Sequence, residues 1–360
     1  MKLSKKKIIL KCTAQYKKLS CYFLILTGAI VTTAHAQTPV RISVQPANYS
    51  ALAVHIATKN DFWKLAGLTP SFVSYSAGVP QIKAHADWDI GITGAVPALL
   101  GAKDFNLITI AVADDQSRTN ALMASKEMVA KIRKDRAIPK GTKIAVTLNS
   151  TADYAVQTCL ALWGGHTKSD MAYQGATQPE AIQAGASGAA EMVGLWAPNV
   201  YTMQEKHGFE PLCSAKDFSP GLYNAVVTSR DFASKNPDTV AKFLAVMMRS
   251  IRWMKSNPEQ MQAFFVKNAE SEGIKISSNA AKSDFELRPL FDLNAQLKMM
   301  GESDASVDAS PVARSFFSIN VFLNEGRPGT RTLKPSSFMN PVYLKTVKDN
   351  ASLSQIAELR

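Results

Sequence analysis

From residue 40 onward, short apolar runs alternate with amphipathic stretches. Val40–Val44, Ser71–Tyr75, Asp89–Thr93 and Leu107–Val112 have the length and apolar content of strands, while Ala51–Leu65, Val79–Ala86 and Ala95–Ala102 carry apolar residues at helical spacing. Strands separated by helices of this length predict βαβ units, that is, mainly parallel sheets with helices on both faces. A break follows, in which Asn120–Ala124 leads into a basic, proline-containing stretch at Lys131–Lys140. The alternation then restarts with a strand at Lys143–Thr147, a helix at Thr151–Trp163, a strand near Met171–Gln174, a helix at Pro179–Ala186, a strand at Glu191–Leu195 and a helix at Pro198–Lys206. After Phe209–Leu212 a further strand is expected at Asn224–Thr228, and from Asp231 the pattern is almost wholly helical. In the segment Pro237–Ser256, Val240, Phe243, Leu244, Met247, Met248, Ile251 and Met254 form one apolar stripe, which predicts a core helix.

Two α/β series followed by a helical tail predict an α/β protein of two lobes, each a mainly parallel sheet flanked by helices, with a helical C-terminal region. The length of 360 residues suits two lobes better than one. The chain is expected to cross between them near Met123–Lys126 and again near Leu222–Val227. That places residues 37–124 in the first lobe, 125–223 in the second and 224–360 back in the first.

The N-terminus changes how the charge is read. A basic stretch precedes the apolar run Cys21–Val31, and small residues then lead to Ala34-His35-Ala36, the pattern of a signal peptidase site. Residues 1–36 are therefore expected to be a secretory signal cleaved after Ala36, since the apolar run is far shorter than the roughly 20 residues that span a bilayer. The formal charge of +12 invites an acidic partner, but seven lysines and no acidic residue lie within 1–36, which leaves 34 basic against 29 acidic residues. That mild excess calls for no nucleic acid. Past residue 36 only Cys159 and Cys213 remain. Their number and spacing fit neither a metal site nor a disulfide framework, and two buried thiols are expected, a single bridge being the alternative.

Candidate chemistry concentrates where strands end. Ligands of open parallel sheets bind beyond the carboxyl ends of the strands, and here those ends are small, polar or glycine-containing turns that open helices. Asn48, Ser76, Thr93, Ser150 and Thr151 are residue types that cap helix starts, where free N–H groups favour an anion. No Arg or Lys stands in these turns, so the helix ends alone are expected to hold the anionic group. Trp196 and Tyr223 are placed either to pack on a ligand's carbon skeleton or within their lobes, and Asp114 and Asp115 close a strand where they would meet an amine or hydroxyl. The histidines His55, His85, His166 and His207 fall in no metal or triad motif, and nucleophile-elbow, Walker and dinucleotide fingerprints are absent. Neither an enzyme nor a cofactor is expected.

Several segments in order resemble the nitrate, sulfonate and taurine group of ABC-transporter substrate-binding proteins. They are Gln45–Tyr49, Tyr75–Gly78, Asp89–Gly91 with Gly94–Pro97, Lys140–Gly141 through Ala145–Val146, Asn149–Thr151, Leu195–Pro198, Val226–Phe232 with Asn236-Pro237, and Phe338–Leu344. The resemblance covers nearly the whole chain after residue 36, and it rests on order and spacing, no single motif being specific. It implies a two-lobed periplasmic-binding-protein fold of type II that closes on its ligand like a hinged clamp. The implied role is a monomeric periplasmic protein that captures a small, anionic organic molecule, sulfonate-like or carboxylate-like, and delivers it to the permease subunits of an ABC importer, touching the membrane only through that transporter. Taurine-binding relatives carry an acidic residue around the position of Tyr223, which counts against taurine here. The ligand residues expected on this basis are Asn48, Tyr49, Ser76, Ala77, Gly78, Gly94, Ala95, Asp114, Asn149, Ser150, Thr151, Trp196 and Tyr223. Two rivals share the cleft or the fold. One is a ligand-sensing partner of a membrane receptor. The other is the fungal thiamine-pyrimidine synthase group, whose cysteine-rich motif and iron find no counterpart in this sequence.

Overall fold

The computed structural model describes residues 37–302, 304–325 and 332–358; the expected signal segment lies outside them. The described strands are β1 (Thr38–Val44), β2 (Leu68–Ser74), β3 (Ile90–Thr93), β4 (Leu107–Asp115), β5 (Asn120–Ser125), β6 (Lys143–Val146), β7 (Ala172–Gly175), β8 (Met192–Trp196), β9 (Phe209–Ser214) and β10 (Tyr223–Ser229). They form two five-stranded sheets, ordered β2-β1-β3-β10-β4 and β7-β6-β8-β5-β9. In the first, β1 pairs in parallel with β2 and β3, and β10 runs antiparallel between β3 and β4. The second repeats the scheme: β6 is parallel to β7 and β8, and β5 runs antiparallel between β8 and β9. Each sheet thus has a single reversed strand, and it is the one that has just arrived from the other lobe.

The crossings lie elsewhere than the apolar pattern predicts. Asn120–Ser125 is not the end of the first lobe but β5 of the second sheet, with Asn120 opposite Trp196 and Ser125 opposite Phe209. The chain therefore crosses at Gln116–Thr119 and returns at 215–222, whereas the expected points lie later, Met123–Lys126 at the end of β5 and Leu222–Val227, apart from Leu222, inside β10. A buried apolar run shows that it is a strand but not which sheet it joins. The two crossings are tied together: Asp115 Oδ1 accepts from Ser117 N at 2.9 Å and from Leu222 N at 3.0 Å, and Gln116 N donates to Leu222 O at 2.8 Å. The basic stretch after β5 is also ordered in part, as a helix over Lys126–Asp135 with Ser125 accepting from Met128 N and Val129 and Ile132 buried.

The first sheet and the C-terminal helices share one core, whereas the second sheet has a separate core on each face. In the helix Pro237–Ser256 the whole expected stripe is buried, each member at most 1% exposed. Proline at its start costs nothing, because the first N–H groups of a helix have no partner within it. Cys159 and Cys213 are not two free thiols. They form a disulfide, with Cα atoms 6.1 Å apart, that ties the helix Thr151–Leu162 to β9. Their separation of 54 residues gave the sequence no local sign of the contact.

Candidate functional site

In the first sheet the strand order reverses between β1 and β3, and in the second between β6 and β8. Chain leaving the carboxyl ends of such strands opens a crevice, and here the two crevices face one another. The resulting cleft is lined by Gln45 and Asn48 after β1, Gly94 and Pro97 after β3, Ser150 and Thr151 after β6, and Trp196 and Ala197 around the end of β8. Gly78 after β2, Gln116, Thr119 and Asn120 at the first crossing, Asn224 in β10 and Arg288 complete the lining. A larger groove lies on the helical face beside Arg252 and Lys255, but only helices line it and its Lys255 already pairs with Asp292 at 3.3 Å. The interlobe cleft is therefore the better candidate, since both sheets converge on it.

The walls are held by buried polar groups. Gln81 Nε2 donates to Ser43 O, Ser43 Oγ and Ile92 O, locking the ends of β1 and β3 together, and Gln45 Nε2 donates to Gln81 Oε1 at 3.0 Å. Asn48 Oδ1 accepts from Ser50 N at 3.0 Å. The helix Ala95–Asp104 starts after Gly94 with no side-chain cap. Opposite it, Ser150 Oγ accepts from Asp153 N at 3.1 Å, and Asp153 Oδ2 accepts from Asn149 N at 2.7 Å, with Asn149 in the left-handed region at φ 56°. The N–H groups of Thr151 and Ala152 keep no partner among the described residues. Two helix N-termini, one from each lobe, thus bring unpaired donors and the positive ends of their dipoles to the cleft.

The lobes touch at this point. A Cβ added at Gly94 would clash with Thr151 Oγ1. Gly94 itself has φ −65°, a conformation open to any residue. Gly94→Val is therefore expected to leave the melting temperature nearly unchanged while holding the lobes apart, and calorimetric titration should show at least about a tenfold loss of ligand affinity. An unchanged affinity would mean that the lobes do not close on the ligand at Gly94.

Beneath the cleft lies an ionic cluster that the sequence did not reveal. Arg288, 2% exposed, follows the helix Ser278–Leu287. Its Nε donates to Asp114 Oδ2 at 2.5 Å and its Nη2 to Ser50 Oγ at 2.7 Å, while Nη1 lies 3.6 Å from Asp284 Oδ1. Burial works against the guanidinium charge, but Asp114 and Asp284 more than offset it and hold the arginine above its usual range. Burial pushes Asp284 up to about 6, opposed by Arg288 and by Tyr201, whose hydroxyl donates to Asp284 Oδ1 at 3.0 Å. The guanidinium stacks 4.9 Å from the ring of Tyr49. The two hydrogen bonds use two of the five N–H groups of Arg288. No strand-end turn carries a cation, but Arg288, distant from those turns along the sequence, comes into the cleft lining from the C-terminal helices with Asp114 and Asp284 as its partners.

Of the residues expected at the site, Asn48, Gly78, Gly94, Ser150, Thr151 and Trp196 line the cleft. Tyr49 is fully buried against Phe265 and Arg288, and Asp114 accepts from Ser50, Asn224 and Arg288 beneath the cleft, so both support the lining and do not form it. Ala95 and Asn149 sit at the two helix starts, while Ser76 is exposed and Ala77 half-buried beside Gly78. Tyr223 turns into its own lobe and meets Phe291 edge-on at 6.0 Å. Sequence reasoning missed Gln45, Pro97, Gln116, Thr119, Asn120, Ala197, Asn224 and Arg288. Arg288 had one signal: with Asp284 four residues earlier, it forms a charged pair inside the apolar surroundings of Phe285, Leu287, Leu290 and Phe291.

His55 is stacked on Phe72, and burial lowers it to about 4, so its approach of 3.9 Å to Glu272 is a contact of a neutral ring. Among the described residues no cluster of three or more His, Cys, Asp or Glu is placed to hold a metal ion, and no helix is long and apolar enough to cross a membrane.

A family model described as NMT1/THI5 like matches residues 48–261. A putative binding protein of Brucella abortus is 24% identical over 231 residues, which is 62% of this chain and 69% of that relative. Among solved structures, the periplasmic aliphatic sulphonate binding protein of Escherichia coli superposes with a TM-score of 0.64 at 18% identity, covering 83% of this chain and 91% of its own. The periplasmic nitrate-binding protein of Synechocystis PCC 6803 gives 0.69 at 12% identity, covering 89% and 91%. These likenesses carry the two-lobed fold.

Proposed function

The chain belongs to the NMT1/THI5-like family, and from that membership together with the cleft we propose that it is an extracytoplasmic solute-binding protein. It captures a small anionic organic molecule, sulfonate-like or carboxylate-like, and passes it to the permease subunits of an ABC importer. The observation that carries this reading is the facing pair of helix N-termini at Gly94–Ala95 and Ser150–Thr151, with Arg288 beside them. Unpaired backbone donors and dipole ends favour an anion, Arg288 adds N–H donors beyond those given to Asp114 and Ser50, and Trp196 offers a flat apolar surface for its carbon skeleton. Opening about the two tied crossings lets the ligand enter, and closure brings Gly94 against Thr151.

No chemistry on the ligand is proposed. The cleft lining holds no histidine or cysteine, and the disulfide occupies both cysteines of the described chain. The protein works as a monomer in the periplasm, exported by the segment 1–36, and its mature form starts at Gln37.

The test is thermal denaturation of the periplasmic form, whose intact mass should place the first residue at Gln37, against sulfonates, carboxylates, phosphonates, nitrate and neutral pyrimidines. A ligand at a hundred times its Kd adds about 2.7 kcal/mol to the native state. Stabilisation by a sulfonate or carboxylate is expected, and a shift with neutral pyrimidines alone would overturn the anion reading.

A further inference from the structure

Asp114 sets the direction of a chain of hydrogen bonds that ends in the cleft. As a buried carboxylate it only accepts, so Asn224 must turn Nδ2 toward it, at 3.0 Å, and toward Ser50 Oγ. That leaves Asn224 Oδ1 as an acceptor, and Gln116 Nε2 donates to it at 2.6 Å. Gln116 Oε1 in turn accepts from Asn120 Nδ2 at 2.9 Å, and the same Nδ2 donates to Gln116 O at 3.1 Å. Both N–H groups of Asn120 are thereby used. Its Oδ1, at the end of the chain, is buried and has no partner, in a side chain that lines the cleft. Reversing any one amide would set two acceptors or two donors against each other along the chain, so the orientation of Asn120 is fixed from Asp114 outward.

A buried amide oxygen left without a donor is costly, and a bound molecule that supplies one recovers that cost. We propose that Asn120 is a specificity-determining residue that selects ligands carrying an N–H or O–H donor, in addition to the anionic group held by the helix ends and Arg288. Gln116 and Asn224 act as positioning residues, since they touch Asn120 or one another and fix which of its atoms faces the ligand. This deepens the binding role proposed above and rests on it.

The test compares pairs matched in size that differ in one donor, 2-hydroxyethanesulfonate with propane-1-sulfonate and glycolate with propionate, and adds uracil with 1,3-dimethyluracil, which lacks both N–H donors and is larger by two methyl groups, as the neutral pair. In the wild-type protein the donor-bearing member of each pair that binds should be favoured by about tenfold or more by calorimetric titration. Asn120→Leu should bring that ratio close to one, and Asn120→Ser, which keeps an acceptor, should retain part of it. Equal affinities within the pairs for the wild-type protein would overturn the proposal even if a variant failed to fold, and so would a ratio that survives Asn120→Leu. Discrimination within the uracil pair alone that disappears in Asn120→Leu would uphold the role of Asn120 while overturning the anion reading, discrimination there that persists in Asn120→Leu would overturn both, and so would no binding by any pair.

Discussion

Replacing Arg288 by methionine is expected to abolish capture of an anionic ligand and to lower the unfolding free energy by about 3–5 kcal/mol, the usual cost of stranding the partner of a buried ion pair. The side chain is 3% exposed, and its removal would leave Asp114 and Asp284, both fully buried, without their shared cation. It would also remove the donor to Ser50 Oγ and thus loosen the hydrogen bonds that run from Asp114 to Asn120. The loss carries a pH signature. Burial already raises Asp284 to about 6, above its unfolded value, and Arg288 opposes that rise. A carboxylate with a raised folded pKa contributes stability below its unfolded pKa and loses it as pH rises through the folded one. The deficit of Arg288→Met should therefore be smaller on the acid side of about pH 6 than on the alkaline side. Arg288→Lys keeps the charge but not the fork and should fall between the two. Urea titrations at several pH values, with calorimetric titration of the best ligand, decide the matter. Undiminished binding by Arg288→Met would reduce the arginine to a purely structural role.

Loss of the disulfide is the second large effect. Cys159 and Cys213 are 54 residues apart, and closing a loop of that size stabilises the native state by about 2–4 kcal/mol through the entropy it removes from the unfolded chain. Cys159→Ala with Cys213→Ala, or reduction of the wild-type protein, should lower the urea midpoint by a corresponding amount. The bond anchors the helix that carries Thr151 at its start, so ligand affinity should also fall, by less than in Arg288→Met. A midpoint unaffected by dithiothreitol would refute the expectation. The same bond fits an oxidising compartment, in keeping with export.

The amino-acid order alone determined the elements. Strands buried on both faces read as continuous apolar runs, helices such as Pro237–Ser256 read as stripes, and turns such as Asn149–Thr151 read as caps, because each of these is a response of a short segment to its own burial. It also pointed to the loops after β1, β3, β6 and β8, since ligand sites beyond strand ends follow from the parallel topology that the alternation predicts. Tertiary structure decided what depends on residues far apart. Which sheet Asn120–Ser125 joins was settled by its pairing with β8 and β9, and both lie more than sixty residues further along the chain. Whether Cys159 meets Cys213, and whether Arg288 meets Asp114 across 174 residues, depended on how the lobes fold and on which helices return to the first of them. The donor-to-acceptor order from Asp114 to Asn120 is of the same kind, because a side-chain amide shows its direction only once its neighbours are in place. Local periodicity records how deeply a residue is buried, whereas the identity of its neighbour is fixed only when the whole chain has packed.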